Sequence, residues 1–238
     1  MGQDAYPRWI VARGGHPADP THAMDRFVLS LARRRRPRVC FVPTASGDAP
    51  AYLARFYRIM SRLDCEPSDL TLFERTVADI PRFVAEQDVI YVGGGNTASL
   101  LAVWRAHGLD RALRDAWTAG VVLTGVSAGM NCWFSASVTD SFDVTTLAPL
   151  SDGLGLLAGS CCPHFDGEPQ RRPTYHRCVG AGLLADGWAA DDAAGLVFSG
   201  TELAEVVTSA PKATAYRVRA DGAGGVSEER LAARYLGD

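Results

Sequence analysis

The chain has 238 residues, 47% hydrophobic and 21% charged, with 24 Lys and Arg against 27 Asp and Glu. A chain of this length buries roughly 70–75% of the surface that its unfolded form exposes, so it needs no disulfide or metal to hold a core, and its apolar fraction excludes disorder. The formal charge of -3 excludes a general nucleic-acid binder, which needs a net basic face.

In chain order, residues 8–12 are an apolar run ending in Gly14-Gly15, a strand leaving into a tight turn. Thr21 is placed to cap a helix over 22–35, with Met24, Phe27, Val28 and Leu31 on one face. The basic run 33–36 suits a last helical turn, and Pro37 ends it. Residues 39–42 read as a strand, 51–63 as a helix and 70–73 as a strand. Another strand over 88–92 meets Gly93-Gly94-Gly95-Asn96, after which Thr97 can cap a helix over 98–106. A helix over 110–119 and a buried strand over 120–126 follow. Strands apolar on both faces and separated by helices imply a mostly parallel sheet covered on both sides, an α/β three-layer sandwich.

The last third reads differently. Residues 149–159 are rich in Gly and Leu, and 166–173 read as a polar surface loop. Short β-like runs at 196–199, 204–208 and 215–218 suggest antiparallel strands added at one edge, which can support a homodimer. With no repeat and no Ser/Pro-rich linker, residues 1–238 read as a single domain.

The six cysteines show no CxxC spacing, and the expectation is free, buried or half-buried thiols in a reducing cytoplasm. The first 16 residues lack the pattern of a signal peptide. No run of about 18 uninterrupted apolar residues is present, so no membrane span is expected and the predicted location is cytoplasmic.

The strongest chemical signal is Gly125-Val126-Ser127-Ala128-Gly129 between a predicted strand and a helix-compatible run. Gly-x-Ser-x-Gly in that context is a nucleophile elbow, which lifts a serine hydroxyl to the sheet edge at a helix N-terminus. There the N–H of Ala128 can stabilise an oxyanion. Chains rich in glycine carry this pattern by chance, and a small-residue turn for close packing is the plain alternative. Gly93-Gly94-Gly95-Asn96-Thr97 lacks the Lys-Ser/Thr of a phosphate loop, and a second oxyanion donor from Gly94 or Gly95 is the preferred reading over a simple connection.

Serine needs a base. Of His16, His22, His107, His164 and His176, His22 and His107 fall at helix ends, His16 follows Gly14-Gly15, and His164 stands between an apolar approach and a polar loop. The acid that orients the base is open among Asp140, Asp143, Asp166, Glu168, Asp191, Asp192 and Glu202.

Together, YVGGGNTASLL (91–101), GVSAGMNCWF (125–134) and CCPHFDGEPQRR (161–172) resemble the peptidase E (aspartyl dipeptidase) family and, more distantly, cyanophycinase. These are serine peptidases on a fold shared with class I glutamine amidotransferases. The resemblance implies Ser127 as nucleophile, His164 as general base and an oxyanion hole from Gly94 or Gly95 with Ala128. It also implies an acyl-enzyme, short peptide substrates with an N-terminal Asp, and no metal or cofactor. Asn96, Arg171 and Arg172 would bind substrate, with Arg177 nearby. Where the family carries its triad glutamate this chain has Ser199, with Asp192 and Glu202 as substitutes. The rival readings are an esterase, amidase or cyanophycinase-like isopeptidase using the same Ser-His pair, and a non-catalytic binding protein on this scaffold.

Overall fold

The computed structural model describes residues 6–15, 19 and 21–237. The first half contains β1 (Trp9–Arg13), α1 (Ala23–Ser30), β2 (Arg38–Val42), α2 (Pro50–Met60), β3 (Glu66–Asp69), α3 (Ile80–Ala85), β4 (Val89–Val92), α4 (Thr97–His107), α5 (Leu109–Thr118) and β5 (Val122–Val126). Next come α6 (Ala128–Asn131), β6 (Phe134–Thr139), β7 (Ala148–Leu150), β8 (Leu157–Cys162), α7 (Arg171–Gly180) and β9 (Gly187–Ala190). The chain ends with β10 (Ala194–Ser199), β11 (Glu202–Thr208), β12 (Ala215–Ala220), β13 (Val226–Arg230) and β14 (Ala233–Tyr235).

Two sheets result. The larger has the order β14-β11-β10-β1-β5-β4-β2-β3, parallel from β1 to β3, with β10 antiparallel to β1 and β11 antiparallel to β10. The second has the order β13-β12-β9-β8-β6-β7, parallel across β6, β8 and β9. In the larger sheet β2, β4 and β5 are rich in Val, Ile, Leu and Phe and buried on both faces, which requires cover on both sides. Met24 and Val28 of α1 and Phe56 and Met60 of α2 pack on one face against Val11, Phe41 and Val122. On the other face α3, α4 and α5 share a core with Ile10, Ile90 and Leu123, and that core extends to Trp133, Phe134 and Cys161 of the second sheet region. Tyr175 and Val179 of α7 cover the second sheet's outer face at Val138, Cys162 and Val218.

The α/β sandwich with a mostly parallel central sheet is therefore present, and β10 and β11 extend its edge as expected. The run 215–218 differs, since β12 joins the second sheet, a layer that periodicity did not reveal. Thr21 does not cap α1. Its hydroxyl donates to Asp19, whose other carboxylate oxygen accepts the Met24 N–H at 3.3 Å, and the helix stops at Ser30. Likewise Asn96, not Thr97, caps α4 by accepting the Ser99 N–H at 2.8 Å. Residues 70–73 are not a strand. The strand is the preceding polar segment Glu66–Asp69 at the sheet edge, and the Leu72 and Phe73 N–H groups donate to the Asp48 carboxylate. Residues 166–173 run into α7, where Pro173 occupies the first turn and its missing N–H costs no hydrogen bond. All six cysteines are buried and free, and burial pushes the Cys65 thiol up to about 11 and Cys162 up to about 12. No described helix is long and apolar enough to cross a membrane.

Candidate active site

The site is built where the strands of the larger sheet end. β5 is buried throughout and turns at Ser127 into α6. Ser127 adopts φ 59° and ψ -113°, a backbone conformation costly for a residue with a side chain. A side chain at Gly125 would overlap the backbone of Gly129, so strand and helix are too close for anything but glycine there. The Ser127 N–H donates to the Arg13 carbonyl at 3.1 Å, and its own carbonyl accepts from Met130 and Asn131. In the first turn of α6 the Ala128 N–H has no helical acceptor.

His164 follows β8, also with positive φ (54°), and its N–H donates to the Gly14 carbonyl at 3.3 Å. Ser127 and His164 thus hang from consecutive carbonyls at the end of β1. Among the described residues no hydrogen bond joins the Ser127 hydroxyl to the imidazole, a looseness common in sites without substrate. His164 Nδ1 lies 2.7 Å from Asp192 Oδ1, with the two side chains 20% and 34% exposed. The bond to the imidazole holds the Asp192 carboxyl below the usual carboxylate range, against partial burial, with the Arg171 charge assisting. The Asp192 N–H in turn donates to Asp166 Oδ1 at 2.8 Å. Gly15 bridges to Asp192 across the sheet, and a side chain at Gly15 would overlap the Asp192 carboxylate and press on His164 Nδ1. The pair exists because residue 15 is glycine.

Ser199 is not brought to this site. β10 runs antiparallel to β1, pairing Gly195 with Arg13 and Ser199 with Trp9, so Ser199 lies at the opposite sheet edge. Glu202 pairs with Ser199 at that same edge and is exposed. The carboxylate that meets the imidazole comes from the turn before β10. Its neighbour Asp191 faces the other way. Asp191 Oδ2 accepts the Thr214 N–H at 3.0 Å, Oδ1 is buried with no partner among the described residues, and burial, aided by Asp166, pushes the carboxyl up to about 6. His16 lies outside the described residues. His176 pairs with Glu228 at 2.7 Å, away from Asp192.

The glycine loop yields to an accounting of its N–H groups. Gly93 donates to the Val42 carbonyl (3.2 Å), Gly94 to the Tyr52 hydroxyl (3.2 Å) and Asn96 to the Ala45 carbonyl (2.7 Å). Among the described residues the Gly95 N–H has no acceptor, and Gly95 takes φ 137°. Gly94 flanks the nucleophile, since a Cβ there would lie 3.3 Å from Ser127 Cβ.

The three residues expected to bind substrate each have partners within the fold. Asn96 caps α4 and donates to the Ser141 carbonyl at 2.8 Å. Arg171 is 3% exposed; its Nε donates to Glu168 at 2.7 Å, Nη1 to the Val138 carbonyl at 3.2 Å, and Nη2 lies 4.0 Å from Asp140. Arg172 lies over the Phe165 and Tyr216 rings, at 4.5 and 4.8 Å from their centroids, with Nε 3.3 Å from Glu228. Arg177 reaches Thr174. A cavity of about 390 Å³ lined by Asp140, Thr145, Leu147, Glu168 and Gln170 opens beside Arg171. Sequence reasoning gave no weight to Gly15 or Tyr52. Gly15 carried a visible signal, the doublet at the end of a strand.

The profile of peptidase family S51 matches residues 10–206. The chain belongs to peptidase family S51. It is 47% identical over 227 residues to the uncharacterized peptidase YgaJ of Bacillus subtilis, covering 94% of this chain and 96% of that one. Peptidase E of Streptomyces coelicolor is 31% identical over 150 residues, 62% of this chain and 59% of that one. In fold, the crystal structure of a peptidase from an acI-B1 Actinobacterium superposes with a TM-score of 0.73 over 96% of both chains, at 19% identity. A peptidase E-like protein of Listeria monocytogenes superposes with a TM-score of 0.59 over 95% of this chain, at 17% identity. As an S51 member the protein is a serine peptidase.

Proposed function

We propose that this S51 peptidase is a serine exopeptidase acting on short peptides through Ser127, His164 and Asp192. The observation that carries the reading is the 2.7 Å contact between Asp192 and His164 Nδ1, made at the end of the strand that also anchors Ser127. With Asp192 ionised, Nδ1 keeps its proton and Nε2 is left as the basic nitrogen. His164 takes the Ser127 proton as the hydroxyl oxygen attacks the scissile carbonyl. The new C–O bond places negative charge on the carbonyl oxygen, which the Gly95 and Ala128 N–H groups receive; Gly94, occupied by Tyr52, is the weaker candidate. His164 then passes the proton to the leaving amine as the C–N bond breaks. Water, deprotonated by His164, then attacks the acyl carbon, and as the bond to Ser127 breaks His164 returns the proton to the serine oxygen.

For specificity the reading is an N-terminal Asp, held by Arg171, the buried guanidinium whose charge is felt at Asp192. A substrate carboxylate reaches it by displacing Glu168 or Asp140. The test is release of amino acid from Asp-, Glu-, Asn- and Ala-initiated dipeptides, with Ser127→Ala as control. Asp-selective cleavage abolished in the variant supports the whole scheme. Cleavage that ignores the first side chain removes Arg171 from it, and activity that survives Ser127→Ala sinks the nucleophile.

A further inference from the structure

We propose that Tyr52 is a positioning residue of the oxyanion hole, whose phenol oxygen locks the glycine loop so that the Gly95 N–H is presented at Ser127. The inference rests on Ser127 being the nucleophile. Gly93-Gly94-Gly95 is the loosest backbone that a loop can have, because each glycine reaches conformations closed to other residues. A donor N–H on such a loop is useful to catalysis only if its direction is fixed before the charge develops. The peptide that carries the Gly95 N–H is held at both flanks. On one side the Gly94 N–H donates to Tyr52 at 3.2 Å; on the other the Asn96 N–H donates to the Ala45 carbonyl at 2.7 Å.

Tyr52 is itself well placed to be the fixed end. It sits in the first turn of α2, and its ring meets Phe41 edge-on with centroids 5.0 Å apart. Gly93 leaves room for that ring: a Cβ there would lie 3.0 Å from both Tyr52 Cε1 and Phe41 Cζ. Phe41 is in turn stacked on Phe56 at 4.7 Å, so the phenol is mounted on the aromatic core under the sheet. Among the described residues the Gly94 N–H is the one hydrogen-bond partner of the Tyr52 oxygen. Without that oxygen, the peptide between Gly94 and Gly95 is free to rotate and turn its N–H away.

Tyr52→Phe keeps the ring and removes the oxygen, while Tyr52→Leu removes both. The readouts are the rate of Ser127 labelling by a fluorophosphonate, whose tetrahedral adduct needs the hole, and kcat and KM on whichever dipeptide the wild type cleaves. Both variants are expected to lose about tenfold in labelling rate and kcat, less than deletion of a direct donor, with KM within about twofold. The pH midpoint of labelling should stay in place. Wild-type labelling rate and kcat in Tyr52→Phe, with loss only in Tyr52→Leu, would show that the ring packs and the oxygen does nothing, overturning the proposal. A wild type that the probe does not label at Ser127 overturns the nucleophile reading and this inference with it.

Discussion

The two edges of the larger sheet are built on opposite principles. All five described non-glycine residues with positive φ, His22, Asp48, Ser127, His164 and Ala193, lie in loops that leave the carboxyl ends of parallel strands. Asp191 Oδ1, buried with no partner among the described residues, is there too. At the amino ends several polar groups pair off: the Arg38 N–H donates to Asp88 at 2.8 Å, Arg34 lies 3.7 Å from Asp88, Arg33 donates to the Ala119 carbonyl, and the Gly200 N–H donates to the Arg8 carbonyl. Strained backbone costs on the order of 1–3 kcal/mol per residue and persists only where surrounding packing over-determines it. One edge is arranged for chemistry and the other for stability. Ser199, at the second edge, belongs with the pairing groups.

The sharpest way to break that comparison is Ser127→Gly. Glycine accepts φ 59° and ψ -113° with less strain, so peptidase activity should fall by about 10⁴-fold or more while thermal stability rises, by up to about 1–3 kcal/mol. Activity assays and calorimetry on the same preparation check both halves. A variant that is inactive and less stable would mean that the serine side chain contributes to the fold, and the claim of strain at this edge fails.

Next in size is the choice between carboxylate and serine behind His164. Asp192→Asn preserves the shape but removes the ion that fixes the imidazole tautomer, and kcat should drop by about 10⁴-fold. Ser199→Ala, at the far edge, should leave kcat within about twofold. A large loss from Ser199→Ala would require the edges to communicate, which no contact described above provides.

Adjacent residues sharpen the contrast further. The Asp191 carboxyl sits at about 6 in the fold against roughly 3.9 unfolded, so the native state holds this proton more tightly. Its contribution to stability is fully present below about pH 4 and lost as pH rises through 6. Asp192 is depressed by His164, so its contribution is present above about pH 4 and lost as pH falls through its folded value. Asp191→Asn should therefore remove the decline in thermal midpoint between about pH 4 and 6 and keep the loss at lower pH. A decline unchanged in the variant would assign it to another group.

Much of this was legible in the sequence, and the limits have physical causes. β1, β2, β4 and β5 announced themselves because strands buried on both faces must be apolar runs, and the elbow because Gly125 and Gly129 are imposed by close packing. The second sheet did not, since β8 reads LAGSCC and β13 reads VSEER, neither of which alternates cleanly. In the sequence Ser199 stands at the family's triad position and Asp192 among its substitutes. The deciding fact is antiparallel register, which sends the end of β10 away from β1's carboxyl end, and register is a tertiary quantity. Tyr52 is separated from Gly94 by 42 residues and carries no local pattern, so only the folded chain shows the contact.

The smallest expected effect tests the pairing edge itself. Arg36 lies 3.9 Å from Asp64 and 4.0 Å from Glu66, with its side chain 63% exposed. Two partners give the form of a stabilising cluster, but exposed ion pairs lose most of their attraction to water and salt while ordering a long side chain. Arg36→Ala should change unfolding free energy by less than about 0.5 kcal/mol and leave kcat unaltered, as measured by urea denaturation and dipeptide hydrolysis. The reason is the same one that makes the opposite edge sensitive: pairs in water are interchangeable with water, whereas Asp192, close against Gly15 and bonded to the His164 imidazole, fixes a tautomer that water does not fix. A loss above about 2 kcal/mol from Arg36→Ala would show that this edge, too, is over-determined by its packing, and the distinction between the edges would have to rest on backbone strain alone.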